Sequence, residues 1–504
     1  MEQQSRHYPD WKAPSEDASV LVWPDAPQML REVASNQSLL GSSESILIQG
    51  IPLPQVRKRM REFVGHDHAA PLIATGHQVE LHHPGVWVKN ILINQLAEKS
   101  SGQALHFAID TDSPKHLALR WPGGSIPLTD DPNLNRAAWS ALVEAPTPSH
   151  LAQIEQRLQN TSAQWDFKPE LTELLLTLRR LALESTNLPS ALANAMHELD
   201  WQLGMRHHIL LASPIWMSEA HLLLAHDLIA RADVIAIQYN TALQSYRDEQ
   251  GIHSHMRPMP DLLISEEAVE IPFWLDDLQS GKRSRPSVFR RDGGWMLQLI
   301  GGEEFVFDPQ VDGWTAAQRF GRWLNQTQHR ITPRALTNML FLRLFLSDYF
   351  IHGIGGGRYD QVTDRLIELH FCMEPPKFGV TTATMYFPDA IGKERVCIPC
   401  VKQEGHHLKH NLLGSRKRQL VAQIASLPRR SADRAARFSE MRRELSSLAI
   451  HSDVLQRWQD RFRETQEREK QEQTLFDREL FYAIQPRERL NEMIGKYRAE
   501  FTVS

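Results

Sequence analysis

Residues 74–90 read Ala-Thr-Gly-His-Gln-Val-Glu-Leu-His-His-Pro-Gly-Val-Trp-Val-Lys-Asn. Pro71 to Ala74 ahead of the polar part reads as the end of a short buried strand. Val86 to Ala97 behind it carries apolar residues at helical spacing. The polar cluster therefore falls on a strand-to-helix turn. In an open α/β sheet such a turn is where ligands bind, because the helix start offers N–H groups without intrahelical partners and the positive end of a dipole. Gly76 and Gly85 permit positive φ or a close backbone approach. His77, His82 and His83 can donate to phosphate oxygens or carry protons near neutral pH. Lys89, just inside the helix, can neutralise a polyanion, and Thr75, Gln78 and Asn90 add polar contacts. The competing reading is a surface loop with incidental histidines.

Working outward, the helix runs to Lys99, a Ser-Ser-Gly-Gln loop follows, and Ala104 to Ile109 reads as a second strand. A parallel crossover puts the polar ends of both strands on one sheet edge. The second strand closes in Asp110-Thr-Asp112. Alternate residues of an extended segment point the same way, so both carboxylates can share a face and hold Mg²⁺ or an amine. The alternative is a helix N-cap. Lys115 and His116 lie within reach of the same crevice.

Seven segments divide the chain. Residues 1–70 are a preamble with a basic turn at Arg57 to Arg61, and residues 71–133 are the first half of the core. Residues 134–200 are an inserted helical region. The core continues through 201–250, with a strand at His208 and a helix from Ser218. Residues 251–330 are a mixed insertion, with strands at Ser287 to Arg291 and Trp295 to Ile300 and a hairpin turn at Gly293-Gly294. Glu270 to Trp274 is an aromatic patch suited to core packing or a pocket floor.

Residues 331–425 form the second half of the core. A helix from Arg334 to Leu346 leads into Asp348-Tyr-Phe-Ile-His-Gly-Ile-Gly-Gly-Gly-Arg-Tyr-Asp360. That glycine-rich loop precedes a helix from Gln361 to Leu369, so its backbone N–H groups can cradle phosphate or carboxylate. It is not a Walker A loop, since no Gly-Lys-Ser/Thr follows. His352, Gly355, Gly356, Gly357, Arg358, Tyr359 and Asp360 are its candidate contacts. Residues 426–504 read as a helical coiled-coil arm. Arg416 to Arg418 reads as solvated helix surface.

Cys397-x-x-Cys400 with His406, His407 and His410 is loosely compatible with a Cys2His2 zinc set. The surrounding Val-Cys-Ile-Pro-Cys-Val run instead reads as a buried strand with free cysteines. A redox role is disfavoured because the motif does not open a helix in a thioredoxin-like unit.

The 504 residues carry a net charge of −5, which argues against nucleic acid or an anionic membrane as partner. No signal-peptide core and no transmembrane run is visible. Three cysteines give no disulfide scaffold, so a cytoplasmic location is expected. The chain has thirteen tryptophans against eight tyrosines, an excess for which we have no physical account.

Together these motifs resemble the cysteine ligase family of bacillithiol biosynthesis (BshC-like), as a distant branch. Thr75-Gly-His-Gln-Val-Glu-Leu81 with His83-Pro-Gly85 looks like the family's T-G-Q-Q-x-G-L and its glycine-proline turn. Phe107 to Asp112 takes the place of its acidic strand end. Asp348-Tyr349 with Gly355 to Tyr359 corresponds to its later glycine segment. The chain departs at His77 for glutamine, Glu80 for glycine and a missing histidine beside Asp110. The resemblance covers ordered pieces from Pro71 to Phe387 and the helical tail. It implies a Rossmann-like core similar to class I aminoacyl-tRNA synthetases, with inserted domains and a homodimer built on the C-terminal helices. It also implies joining of an amino acid, cysteine in the family, to an amine of a small sugar conjugate. Amide formation needs an acyl phosphate or adenylate, so ATP/ADP with Mg²⁺ is the cofactor to expect, with no resident metal site. In this scheme His77, His82, His83, Asp110 and Asp112 are the catalytic candidates. His82, His83 and Lys89 contact phosphate, and Gly355 to Gly357 close the opposite wall. The alternatives are a nucleotide-binding dimeric adaptor without chemistry, and a zinc hydrolase, for which no H-E-x-x-H set is present.

Overall fold

The computed structural model describes residues 8–291, 294–393, 395–451 and 453–502. The chain forms two compact units. One runs up to Met385 and resumes at Arg478; the other is Tyr386–Asp477.

The first unit is built on a six-stranded sheet. Its strands are β1 (Ser19–Trp23), β2 (Leu72–Gln78), β3 (Gln103–Ile109), β4 (His208–Leu211), β5 (Tyr349–His352) and β6 (Phe378–Thr384). The helices used below are α1 (Ala26–Gly41), α2 (Leu53–Phe63), α3 (Pro84–Lys99), α4 (Leu188–Gln202), α5 (Glu219–Ala230) and α6 (Ile354–Phe371). They continue with α7 (Ile398–Ser426), α8 (Ala432–His451), α9 (Asp453–Glu472) and α10 (Arg487–Glu500).

The strands lie in the order β1-β6-β5-β2-β3-β4. β2 to β6 are parallel, and β1 pairs antiparallel on the edge of β6. The chain enters at β2, moves outward to β3 and β4, then returns to place β5 and β6 on the other side of β2. The direction of winding thus reverses between β2 and β5, the place where open α/β sheets bind ligands beyond the carboxyl ends of their strands. β5 and β6 are buried along their whole length, as expected for parallel strands covered on both faces.

α3 makes the β2–β3 crossover. Pro84 stands at its first position, where the missing N–H costs nothing. Trp87, Val88, Ile91, Leu92 and Leu96 are all buried, so this helix is apolar nearly all round and lies in the core. The expected helix from Val86 to Ala97 is therefore present and slightly longer. β2 runs on to Gln78, through residues assigned from sequence to the turn.

The basic turn at Arg57 to Arg61 is the last part of α2, and it clamps the sheet. Arg57 and Arg61 donate to the two carboxylate oxygens of buried Asp348 at 2.7 and 2.6 Å. The Leu72 N–H adds a third bond at 2.7 Å. Burial lowers the Arg57 pKa to about 10 despite the carboxylate.

The helical insertion is present as Pro148–Ser162, Leu171–Glu184 and α4. In the mixed insertion, strands Ser287–Arg291 and Gly294–Gln298 pair antiparallel. Gly293, half of the expected turn, lies outside the described residues. Phe273 is fully buried, and Glu270 is held by Arg285 and Arg334.

Two sequence expectations are corrected. Gly355 to Gly357 are not in a loop: α6 starts at Ile354, about two turns earlier than expected, with Gly353 as its cap. The helix has a packing reason for its glycines, since a Cβ on Gly357 would sit 2.6 Å from Val380. The Cys397 region is not a buried strand either. Cys397 caps α7 with Pro399 in the first turn, a position that tolerates proline. Cys397 and Cys400 are exposed and joined as a disulfide, so the motif does open a helix. The second unit packs α7 against α8 and α9, with Arg416 paired to Glu440 and Glu444. It spans the expected boundary at 425/426, and residues 478–502 return to the first unit.

Candidate functional site

The carboxyl ends of β2 and β5 bring the two polar segments together. Thr75 Oγ1 donates to the Ile351 carbonyl at 2.7 Å, locking the strands rather than facing a ligand. Gly76 lies where a Cβ would come 3.0 Å from the Phe107 carbonyl. From α3, Lys89 reaches back and donates to the Gly76 carbonyl at 2.7 Å. It is 3% exposed, and burial lowers its pKa to about 7, opposed by the charge of Glu80. Burial raises Glu80 to about 7 as well, with Lys115 and Lys89 pulling the other way. His77 Nδ1 lies 3.3 Å from Glu80. Burial, then the Lys89 charge, holds that imidazole well below its ordinary value. Gln78 donates to Asp112 at 2.9 Å. A lysine, a glutamate and a histidine thus lie within electrostatic reach of one another, and burial brings the lysine and the glutamate to titrate near neutral pH.

The other candidates divide. His82 points inward: its Nε2 donates to the Gln78 carbonyl at 3.1 Å, and its ring stacks on His106. Burial takes it to about 3, so the imidazole is neutral. His106 donates to Asn90, and Asn90 donates to Asp200 at 2.8 Å. Trp87 also donates to Asp200, whose pKa burial raises to about 7. This network lines a cavity of about 10 Å³, room for one water.

His83 caps α3, its Nδ1 accepting the Gly85 N–H at 3.1 Å. The Gly85 N–H, a helix-start donor of the kind expected to meet an anion, is therefore satisfied within the chain. Gly85 is required by close approach, since a Cβ there would sit 2.5 Å from Thr382 Oγ1 and 2.9 Å from the Arg478 guanidinium.

No family model and no curated protein matches the chain. Its site is therefore read from its own geometry.

Asp110 and Asp112 serve different partners. The backbone bends after Ile109, so the two-residue alternation of a strand no longer holds. The Asp110 carboxylate accepts the Ser213 N–H and hydroxyl at 2.8 and 2.5 Å; Asp112 accepts from Gln78. On the β5 side, His352 is buried and donates to Asp360 at 2.8 Å. Asp360 pairs with Arg343 at 2.9 Å, and Arg343 also pairs with Asp364. A Cβ on Gly356 would sit 2.9 Å from His352. Arg358 turns away to Asp10 and the Trp11 carbonyl, and Tyr359 is exposed. Helical periodicity explains the difference: with the helix started at Ile354, residues 358 and 359 leave the face that carries Gly356 and Asp360.

Glu80 was the candidate residue least visible beforehand. Its signal was a lone acid between Val79 and Leu81, nine residues before Lys89. Asp200 and Arg478 had none, because they come from distant parts of the chain, a helix and a turn. Among the described residues no three His, Cys, Asp or Glu side chains are grouped to hold a metal.

Proposed function

We propose that the chain is an enzyme acting at the crevice between β2 and β5 of a Rossmann-like core. It joins an amino acid to an amine of a small sugar conjugate, as in low-molecular-weight thiol biosynthesis. The observation that carries this reading is the Lys89–Glu80–His77 group at the point where the winding of the sheet reverses. Amide formation requires the attacking amine to lose a proton and the tetrahedral oxyanion to be stabilised. Glu80 as carboxylate, or Lys89 as neutral amine, takes the proton. Protonated Lys89, held against the Gly76 carbonyl, faces developing negative charge. Bound ATP with Mg²⁺ would activate the amino-acid carboxylate as an acyl phosphate or adenylate, releasing ADP or pyrophosphate, and phosphate or AMP would leave when the amine attacks. A nucleotide-borne Mg²⁺ needs only one or two protein carboxylates. Half-exposed Asp112 suits that role, whereas Asp110 is committed to Ser213. Among the described residues no helix is long and apolar enough to cross a membrane. We place the enzyme in the cytoplasm, as a homodimer through the helices of its second unit.

The test is condensation of cysteine with an amino-sugar conjugate in the presence of ATP and Mg²⁺, read by mass spectrometry. Product is expected from the wild type and not from Glu80→Gln or Lys89→Met. Stabilisation by ATP with no product from any standard amino acid would replace this reading with the adaptor.

A further inference from the structure

At the opposite, amino-terminal end of β3 and β4 the first unit holds a cavity of about 290 Å³, just below the ~300–1,000 Å³ range of small-molecule sites. Its walls follow from helix periodicity. α3 presents Ile91, Gln95 and Glu98 on one face, and α10 presents Ile494 and Arg498 one turn apart. The turn after α4 closes the third side, with Gly204 at φ +89°.

Three polar side chains that line this cavity, Gln95, Glu98 and Arg498, have no side-chain partner among the described residues. Gln95 is 8% exposed, yet its amide makes no hydrogen bond among the described residues, and it lines the cavity. The amide opens onto the cavity, where a ligand oxygen can accept from it. Arg498 also lines the cavity and has no ion pair among the described residues. The neighbouring helix-end carbonyls are already satisfied: Ala97 accepts from Gly102 at 2.8 Å and Asp200 from Met205 at 3.0 Å. Asn94 is engaged as well, accepting the Arg206 N–H. The floor is apolar, from Ile91, Leu203, Met205 and Ile494, all buried.

We propose that this cavity binds a small carboxylate with an apolar body. The carboxylate pairs with Arg498, Gln95 supplies the buried amide contact, and the body covers the apolar floor. Glu98 on the same helix face suits a ligand ammonium, so an α-amino acid and a plain organic acid are the two sources of that carboxylate. This assignment does not depend on the chemistry proposed for the crevice.

The experiment is calorimetry and thermal shift on the full chain with L-methionine and with 4-methylpentanoate. At least one is expected to bind the wild type at millimolar concentration or better. Affinity is expected to fall tenfold or more in both Arg498→Glu and Gln95→Leu, and to be unchanged in Lys89→Met. Arg498 is exposed, so its variant should keep the wild-type melting temperature without ligand. Loss of methionine binding alone in Glu98→Gln identifies the amino acid as the source; retention of both identifies the plain acid. Failure of both probes to bind overturns the proposal. So does wild-type affinity in Arg498→Glu, or a loss that follows Lys89→Met.

Discussion

Lys89 and Glu80 are opposite charges that burial drives toward the same pKa, about 7, so their titration belongs to the pair. The consequences for stability have opposite signs. Glu80 is raised from 4.5 to about 7, so over that range the folded chain holds a proton the unfolded chain has released, and stability falls as pH rises. Lys89 is lowered from 10.5 to about 7, so above neutrality the unfolded chain holds the extra proton and stability rises with pH. The pair therefore contributes a minimum near pH 7, with limbs of at most ~1.4 kcal/mol per pH unit. Urea midpoints measured across this range should show it. Glu80→Gln should flatten the acid limb and Lys89→Met the alkaline one; an unchanged profile in either variant would remove the pair. At Gly85 the prediction is steric. Gly85→Ala places a methyl 2.5 Å from Thr382 and should cost about 1–3 kcal/mol, measured by denaturant unfolding. The polarity of residues 75–90 was legible in the sequence. Which donors the chain satisfies internally was not, because the partner of His82 depends on a bend and the partner of Asp110 lies at Ser213.

Elements were legible where one local signal decided them. The alternation of β2, α3 and β3 follows from apolar periodicity and Pro84. The glycine run failed as a loop signal because Gly356 and Gly357 meet a tightly packed strand and histidine, a reason invisible without β6. The Val396-to-Val401 run failed because its proline fits a helix start as well as a strand edge. The resulting disulfide predicts that alkylation under denaturing, non-reducing conditions labels one cysteine, Cys372, and that reduction exposes Cys397 and Cys400 as well; intact-mass measurement checks it. The α2 clamp gives a larger effect. Asp348→Ala leaves Arg57 and Arg61 buried without their carboxylate, a loss of about 3–5 kcal/mol. If denaturant unfolding shows less than ~1 kcal/mol, the two arginines are solvated instead.

At the scale of the whole molecule, the sequence places a division at residue 426, and the folded chain places it at Tyr386 and Arg478. The helical composition of residues 416–472 was visible, whereas the return of the tail was not. Residues 478–502 look like more of the same polar helix, yet Leu480, Phe481, Tyr482, Ile484, Leu490, Met493, Ile494 and Tyr497 are all buried in the first unit. Tyr482 stacks on Trp87, and Tyr497 hydrogen-bonds Thr381 at 2.6 Å. At ~1.5–3 kcal/mol for each large apolar side chain, the burial of these eight contributes on the order of 12–24 kcal/mol, as much as the ~5–15 kcal/mol that separates folded from unfolded chains. Ending the chain at Asp477 should therefore leave the first unit without a cooperative unfolding transition. Removing Tyr386–Asp477 instead should not. Arg478 already reaches the Ala383 carbonyl at 3.3 Å, so a short glycine-serine linker can join the two cut ends. Circular dichroism melts of the two deletions decide the matter: loss of cooperative melting in the terminal deletion with its retention in the internal one assigns the tail to the core. The reverse pattern would make the tail part of the helical arm.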